Sequence, residues 1–258
     1  MRVKAVLLDL EGVLYEGDQP IEGAVAAVDR LRDMGLALHY LTNTTTRSRA
    51  GVAERLASLG LVLGVESLFT PLAAARRLLM DGGARRIRLA APPSAAEDFA
   101  GLELATSGPV DAVVVGDLYT AFDWGLLNEL FVLVRGGARL VALHKNRYCR
   151  REDGIGLDVG PFVAALEYAA NVEAVVVGKP SAAFFQLALD DLGVTAAEAL
   201  MVGDDIDADI GGAQGAGLRA VQVRTGKYTA ADLDHPTVRP DFRIDSLAAL
   251  PDLIGDMA

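Results

Sequence analysis

Short apolar runs that each end in a polar residue recur along this chain, and they restrict its fold more than any other feature. The first run, residues 3–8, leads into Asp9, and the next, residues 36–41, leads into Thr42 and Asn43. Continuous apolar stretches of this length indicate strands that are buried on both faces of a parallel sheet. Parallel strands need a crossover, usually a helix, so the chain between the runs should be helical.

The segments between these runs have the spacing and the stop signals of helices. Ala24, Val28 and Leu31 recur every three or four residues, and Gly35 follows them at the position of a helix stop. A second helix is predicted from about residue 47 to residue 59. Strands that alternate with helices in this way predict an α/β fold.

The same alternation returns in the C-terminal part of the chain. Residues 174–177 form an apolar run ahead of Lys179, and residues 199–202 form another ahead of Asp204. Between the two halves lie two more runs of this kind, at residues 112–115 and 140–143.

This order of elements predicts a core domain that is interrupted by a second one. We expect a doubly wound, Rossmann-like parallel-sheet core made of residues 1–70 and 174–258. Residues 71–173 are expected to form an inserted α/β cap domain. The length of 258 residues is enough for two such domains.

Charge and cysteine content exclude several classes of partner and location. The chain has 24 Lys and Arg against 35 Asp and Glu, a net charge of −11, which disfavours nucleic acid and anionic membranes as partners. Its single cysteine, Cys149, makes no intrachain disulfide. The N-terminal apolar run is too short for a signal peptide, and no run approaches the ~20 residues that span a bilayer. We therefore expect a cytoplasmic protein.

Polar side chains at the ends of several predicted strands point to phosphoryl chemistry. Because ligands of open parallel sheets bind at the carboxyl ends of the strands, Asp9, Thr42 and Asp204 should lie close together. Asn43 and Lys179 follow such strands as well. Carboxylates hold Mg²⁺, which bridges to phosphate oxygens, whereas ammonium and hydroxyl groups hold the remaining phosphate charge. A carboxylate can also attack phosphorus and form an aspartyl-phosphate.

Four segments of the chain resemble, in order and spacing, the four motifs of the haloacid dehalogenase-like phosphatases. They are residues 9–15 (Asp-Leu-Glu-Gly-Val-Leu-Tyr), 41–43 (Leu-Thr-Asn), 178–180 (Gly-Lys-Pro) and 203–205 (Gly-Asp-Asp), the last followed by Asp209. The long stretch between the second and third motifs resembles the large α/β cap of the NagD-like, class IIA branch. Within that branch, the group that contains the phospholysine phosphohistidine inorganic pyrophosphate phosphatases is the most similar in segments 42–45, 144–148 and 225–228.

The resemblance implies a nucleophile and a magnesium site. Asp9 is implied as the nucleophile and as a Mg²⁺ ligand, with Asp204 as a second ligand. The backbone carbonyl of Glu11 is implied as a third ligand. Asp209 is implied to lie in the shell behind the ligands, where it would orient metal-bound water or Lys179.

The resemblance also implies how the substrate is held. Thr42 and Asn43 are implied to bind phosphate oxygens, and Lys179 is implied to neutralise the charge on the nucleophile and the phosphoryl group. The implied activity is that of a Mg²⁺-dependent phosphohydrolase, acting on a small phosphorylated compound or pyrophosphate through an aspartyl-phosphate. A homodimer is a further expectation, because relatives of this branch suggest one.

Glu11 departs from the family pattern, which usually has Asp at this position. That Asp protonates the leaving group and then activates water, so Glu11 is implied as a catalytic acid and base with one extra methylene. A misplacement of about 1 Å can cost on the order of 100-fold in rate. The alternative is therefore a catalytically weak phosphate-binding or phosphoprotein-binding member of the same fold. A phosphotransferase or phosphonatase is a third interpretation, since fold alone does not fix chemistry.

A basic segment stands out in this acidic chain. Five basic side chains occur within it: His144, Lys145, Arg147, Arg150 and Arg151. Two interpretations stay open. The segment is either a solvated face or a part of the cap that contacts the substrate.

Overall fold

The computed structural model describes residues 3–151 and 154–257, and they form strands and helices in alternation. The strands are β1 (Ala5–Asp9), β2 (Tyr15–Glu16), β3 (Gln19–Pro20), β4 (Ala37–Leu41), β5 (Leu68–Phe69), β6 (Arg86–Ala90), β7 (Glu103–Leu104), β8 (Ala112–Val115), β9 (Arg139–Ala142), β10 (Tyr148–Arg151), β11 (Gly154–Leu157), β12 (Val175–Val176), β13 (Ala199–Gly203), β14 (Arg219–Val223) and β15 (Phe242–Ile244). The helices are α1 (Ala24–Asp33), α2 (Arg49–Ser58), α3 (Pro71–Asp81), α4 (Trp124–Arg135), α5 (Val159–Ala170), α6 (Ala182–Leu192), α7 (Gly212–Gly215) and α8 (Leu250–Asp256).

The chain divides into two compact units. The first consists of Met1–Thr42, Ala50–Phe69 and Lys179–Ala258, and the second of Asn43–Arg49 and Thr70–Gly178. Each unit contains its own parallel sheet flanked by helices. The predicted α/β fold class is thereby confirmed.

The sheet of the first unit has the strand order of a doubly wound nucleotide-binding fold. Its six parallel strands run β15-β14-β13-β1-β4-β5, so the strand order reverses between β1 and β13. Such a reversal leaves a crevice at the carboxyl ends of the two central strands, which is where ligands bind in open α/β sheets. Leu8 of β1 lies beside Val202 of β13, and each is one residue before the end of its strand.

One face of this sheet is covered by α1, α2 and α8. Leu8 and Val202 on that face pack in one apolar cluster with Leu31 of α1 and Leu56 of α2, and all four side chains are fully buried. The helix pattern read from the sequence is therefore the buried face of α1. Its predicted stop is also correct, because Gly35 follows the helix with a φ of +75°.

The second unit is built on a five-stranded parallel sheet in the order β12-β9-β8-β6-β7. Side chains of β6, β8 and β9 pack against α4 and α5, with Leu130 and Val163 among the buried members. The rings of Phe122 and Phe162 stack beside this cluster with their centroids 3.9 Å apart. The unit therefore has an apolar core of its own.

The strand ahead of Lys179 lies in a different sheet from the one that the sequence predicted. Val175 pairs with Val141 of β9, so β12 is an edge strand of the second unit, and the division between units falls after Gly178. The sequence predicts that the core domain resumes at residue 174, five residues before this division. The apolar run identified a strand correctly, but a run of this kind carries no information about which sheet it joins.

Helices long and apolar enough to cross a bilayer do not occur among residues 3–151 and 154–257.

Replacing Leu31 by Ala tests the packing of α1. The side chain is fully buried, so we expect a loss of about 2–5 kcal/mol in the free energy of unfolding, from lost burial and the cavity left behind. Met34→Ala is the control, because Met34 follows the same helix and is 42% exposed, and its loss should stay within about 0.5 kcal/mol. Urea unfolding followed by circular dichroism measures both. Similar losses in the two variants would contradict the assignment of the buried face.

Candidate active site

Two acidic residues flank the point where the strand order of the first sheet reverses. Asp9 is the last residue of β1, and Asp204 directly follows β13, the neighbouring strand. Both are buried, with 8% and 2% of their surfaces exposed. The fold therefore places two carboxylates at the position where open α/β sheets bind their ligands.

Lys179 joins this pair to a third acid. Its Nζ donates a hydrogen bond of 2.5 Å to Oδ1 of Asp9 and another of 2.6 Å to Oδ1 of Asp209. The lysine is 4% exposed and Asp209 is 1% exposed. Buried charges of opposite sign at this distance offset part of each other's desolvation cost. An isolated buried charge has no such compensation and would be neutralised.

Local backbone geometry brings Asp209 to the lysine. The residues after Asp204 form a π-helical turn, Ile206–Gly211, which begins where the Asp205 side chain accepts hydrogen bonds from the N–H groups of the turn. Oδ2 of Asp209 then accepts a bond of 3.2 Å from the N–H of Asp205. A Cβ atom on Gly203 would lie 2.2 Å from Cβ of Asp209, so this approach requires glycine at that position.

Burial and nearby negative charge raise the pKa of Asp9 and Asp204. The pKa of Asp9 is raised to about 7, first by burial and then by the charge of Asp209, while Lys179 opposes the change. Burial also raises the pKa of Asp204 to about 6, against a hydrogen bond from the backbone of Lys227. For Lys179, burial lowers the pKa, but the charges of Asp209 and Asp9 outweigh it and the net shift is upward. The site holds more negative charge than one ammonium balances.

Thr42 and Asn43 are neighbours in the chain but belong to different units. Thr42 is buried and directly follows β4, whose Leu41 pairs with Asp9 in the sheet. Asn43 begins the short segment that is grouped with the second unit, where its Oδ1 lies 2.9 Å from the position of a Cβ on Gly178. The structure thus places Thr42 beside the acids of the first sheet and packs Asn43 against the residue that precedes Lys179.

Glu11 lies outside the buried cluster of charges. It is exposed and forms an isolated bridge with Tyr15. The pKa of Tyr15 is raised, first by burial and then by the negative charge of Glu11, so the carboxylate lies near the phenol. The two acids of the first motif therefore differ in environment, since Asp9 is buried and Glu11 is in contact with water.

Comparison with known proteins identifies the family. Residues 6–104 match the model of the haloacid dehalogenase-like hydrolase family, and residues 176–250 match a second model described as HAD-hydrolase-like. The haloacid dehalogenase-like hydrolase domain-containing protein 2 of Bos taurus is 43% identical, over 95% of this chain and 93% of the relative. The chain belongs to the haloacid dehalogenase-like hydrolase family. The resemblance drawn from the four motifs is confirmed.

Relatives with phosphatase activity also match this hydrolase over most of its length. The phospholysine phosphohistidine inorganic pyrophosphate phosphatase of Danio rerio is 41% identical, over 98% of this chain and 94% of the relative. The crystal structure of a glycerol phosphate phosphatase from Mycobacterium tuberculosis in complex with magnesium superposes with a TM-score of 0.84. It is 32% identical and covers 98% of this chain and 78% of that one. The hydrolase is therefore an enzyme of the phosphatase type.

The residues of this hydrolase fit a divalent cation. Asp9, Asp204 and Asp209 each offer a carboxylate oxygen within 4.8 Å of the others, and all three are buried. Oδ1 of Asp204 is buried and has no hydrogen-bond partner among residues 3–151 and 154–257. An orphaned buried carboxylate oxygen beside further carboxylates is a donor set that suits a hard cation such as Mg²⁺.

The basic segment of this hydrolase is not a single exposed cluster. His144 is buried, and burial lowers its pKa. Lys145 is bound to Glu167 of α5 at 2.6 Å, whereas Arg147 is exposed. The side chains of the two remaining arginines lie outside the described residues; these are Arg150 and Arg151. Burial of His144 contradicts the interpretation of the segment as a solvated face, at least for that residue, and contact with the substrate stays a prediction.

Sequence reasoning assigned no role to the glycines that shape this site. A Cβ atom on Gly12 or on Gly226 would lie 2.1 Å from Oδ2 of Asp204. Both glycines have positive φ, at +84° and +63°. The position of Gly12 directly after Glu11 is a sequence signal that could have indicated its role at the site. The contact between Gly12 and Gly226 depends on the tertiary fold, so the sequence does not predict it.

Replacing Lys179 by Met tests the charge balance of this cluster. The variant keeps most of the side-chain length but removes the cation shared by Asp9 and Asp209, so we expect a loss of about 3–5 kcal/mol in the free energy of unfolding. Lys227→Met is the control, because that Nζ pairs with Asp205 from a side chain that is 70% exposed, and its loss should be below about 1 kcal/mol. Urea unfolding in EDTA measures both variants. Equal losses would show that the buried cation is not a structural requirement.

Proposed function

We propose that this enzyme is a Mg²⁺-dependent phosphohydrolase that forms an aspartyl-phosphate on Asp9. The observation that carries the proposal is the lysine that spans Asp9 and Asp209, at 2.5 and 2.6 Å, beside the orphaned oxygen of Asp204. This arrangement holds a nucleophile, its counter-ion and a cation-binding carboxylate in one buried group. Mg²⁺ bound there by Asp9, Asp204 and the carbonyl of Glu11 would neutralise charge on the transferred phosphoryl group.

In the first step, a carboxylate oxygen of Asp9 attacks phosphorus and the bond from phosphorus to the leaving oxygen breaks. Attack requires the ionised carboxylate, whereas burial and Asp209 favour the protonated one. The ammonium of Lys179 favours the ionised form, so the lysine opposes protonation of the nucleophile as well as balancing the charge of the phosphoryl group. Thr42, buried at the end of the adjacent strand, supports binding of a phosphate oxygen.

Glu11 supplies the proton that the leaving oxygen takes up. In the second step Glu11 accepts a proton from water while the water oxygen attacks phosphorus. The bond from phosphorus to the Asp9 oxygen breaks, which releases inorganic phosphate and restores the Asp9 carboxylate. Contact with water supports this assignment, because an acid that exchanges protons with solvent and substrate must reach both. Asn43 is proposed as a second holder of phosphate oxygens, and Asp209 as the group that orients Lys179.

The proposed substrates are small phosphorylated compounds and inorganic pyrophosphate. Support comes from the compounds in the names of the relatives, which include phospholysine, phosphohistidine, pyrophosphate and glycerol phosphate. We further propose that residues 71–173 act as the cap that selects among them. The net charge of −11 and the single cysteine favour a cytoplasmic enzyme that does not act on nucleic acid, and a homodimer stays a prediction.

Asp9→Asn tests the covalent step. An amide has nearly the same shape but is a poor nucleophile, so we expect turnover to fall by roughly 10³-fold or more with the fold intact. Steady-state hydrolysis of p-nitrophenyl phosphate and pyrophosphate, each with Mg²⁺ and with EDTA, measures the loss. Asp33→Asn, an exposed acid at the end of α1, is the control and should keep wild-type activity. Wild-type turnover by Asp9→Asn at saturating Mg²⁺ would rule out the aspartyl-phosphate.

Glu11→Ala and Glu11→Asp test the acid and base role. On an alkyl phosphate, whose leaving group is poor, Glu11→Ala should lose roughly 10²–10⁴-fold in rate, and on p-nitrophenyl phosphate it should lose much less. Single-turnover kinetics measures both, with Glu16→Ala as an exposed neighbour that should behave like wild type. An Ala variant as fast as wild type on the alkyl ester would contradict the role. A faster Glu11→Asp variant would support the alternative of a slow member that is limited by its longer acid.

A further inference from the structure

Residues 225–227, which follow β14 in the first unit, lie against the carboxylate of Asp204. The N–H of Lys227 donates a hydrogen bond of 2.7 Å to Oδ2 of Asp204. The hydroxyl of Thr225 donates one of 2.5 Å to the backbone carbonyl of Gly12. This loop, the 225–227 loop, therefore joins the residue after β13 to the residues after β1.

Glycine at position 226 makes this contact sterically feasible. A Cβ atom there would lie 2.1 Å from Oδ2 of Asp204 and 2.5 Å from Cα of Gly12. Gly12 approaches the same oxygen, since its own Cβ would also lie 2.1 Å from Oδ2. Oδ2 is therefore enclosed by Gly12, Gly226 and the N–H of Lys227. A residue larger than glycine does not fit at position 12 or at position 226.

The two oxygens of Asp204 consequently have different surroundings. Oδ2 is held by the amide of Lys227 and enclosed by the glycines. Oδ1 is buried and without a hydrogen-bond partner in the described part of the chain. A carboxylate that is fixed through one oxygen can present the other in a constant direction, which is how outer groups orient the ligands of a metal.

The chain beyond the loop is anchored in the sheet by a buried polar network. Asp232 accepts hydrogen bonds from the hydroxyl of Thr229 at 3.0 Å and from Nε2 of Gln222 at 2.6 Å. Arg243 of β15 donates to Oε1 of Gln222 at 2.9 Å and to the carbonyl of Asp232 at 3.0 Å. Gln222 is fully buried in β14, where an apolar residue is the norm. The network therefore fixes the chain on the far side of the 225–227 loop.

From this geometry we propose that the 225–227 loop is a positioning element for the metal site. It holds Oδ2 of Asp204 so that Oδ1 is the atom offered to the divalent cation. Thr225 and Gly226 act through Asp204 and Gly12, and neither needs to touch the substrate. The inference rests on the proposed Mg²⁺ dependence. In it, the 225–227 loop increases the affinity of the site for the cation and takes no part in the chemical step.

Gly226→Ala tests the proposal directly. The added Cβ must displace the Asp204 carboxylate, so we expect the dissociation constant for Mg²⁺ to rise about 10–100-fold, the usual cost of disturbing groups behind a metal ligand. Gly193→Ala is a matched control, because Gly193 has φ +66° and nothing lies within 4 Å of its Cβ position. Both variants bear the same kind of backbone strain, but Gly193→Ala should bind Mg²⁺ as wild type does. Isothermal titration calorimetry with MgCl₂ alone measures the affinities.

Thr225 provides a second test that adds no atom around Oδ2 of Asp204. Thr225→Val removes the hydroxyl donor to Gly12 at nearly constant shape, and it should weaken Mg²⁺ binding roughly tenfold. Thr225→Ser restores the donor and should restore the affinity. In Thr225→Val, kcat should recover at saturating Mg²⁺, whereas a purely structural role would lower the melting temperature and leave the Mg²⁺ affinity unchanged.

The outcomes separate this inference from the proposed function. If wild type neither binds Mg²⁺ in calorimetry nor needs it for hydrolysis, the proposed metal dependence fails and the inference falls with it. If wild type binds and needs Mg²⁺ but Gly226→Ala and Thr225→Val bind it as tightly as Gly193→Ala, the proposed function stands and the positioning role is overturned. Weakened binding in both loop variants, with recovery in Thr225→Ser, is the expected result.

Discussion

The ion pairs of Lys179 with Asp9 and Asp209 are the interaction on which the rest of the site depends. Three buried carboxylates at the end of one sheet repel one another, and burial, followed by the charge of Asp209, raises the pKa of Asp9 and Asp204. The ammonium at 2.5 and 2.6 Å offsets part of that cost. It leaves an excess of negative charge, and that excess is what a divalent cation would balance. The stability of the site and the proposed metal binding therefore have the same electrostatic origin.

Close approach of these groups is a packing problem that glycines solve. Gly203 lets Asp209 turn back beneath β13, and Gly12 and Gly226 let two loops meet at one oxygen of Asp204. Any side chain at these positions would occupy space that the carboxylates need. These three glycines are thus required by the close approach of the groups around them, and the positive φ at positions 12 and 226 adds a second reason.

The sequence was sufficient to predict the strands and the convergence of Asp9 and Asp204, because buried runs identify strands and open sheets bind ligands at one edge. It failed where the outcome depends on contacts distant in the chain. Residues 175–176 joined the other sheet, since Val175 pairs with Val141. After β13 the chain forms a π-helical turn at 206–211 and then a four-residue helix, because the Asp205 side chain binds the N–H groups at the start of the turn. Neither the sheet that residues 175–176 join nor the π-helical turn is indicated by a periodic pattern in the sequence.

Hydrogen bonds of the neighbouring residues fix the backbone around Glu11. The next residue, Gly12, donates its N–H to the carbonyl of Tyr15 at 2.7 Å and accepts from Thr225 at its own carbonyl. Tyr15 is itself buried beneath the guanidinium of Arg55, 5.4 Å from the ring centroid. With the backbone held in this way, the extra methylene of Glu11 has to be accommodated by side-chain rotation alone. An exposed carboxylate has the freedom to do so, and a buried one would not. Of the two acids in the first motif, only the exposed position 11 can accept a longer side chain without a change in the fold. It is also the position that departs from the family pattern.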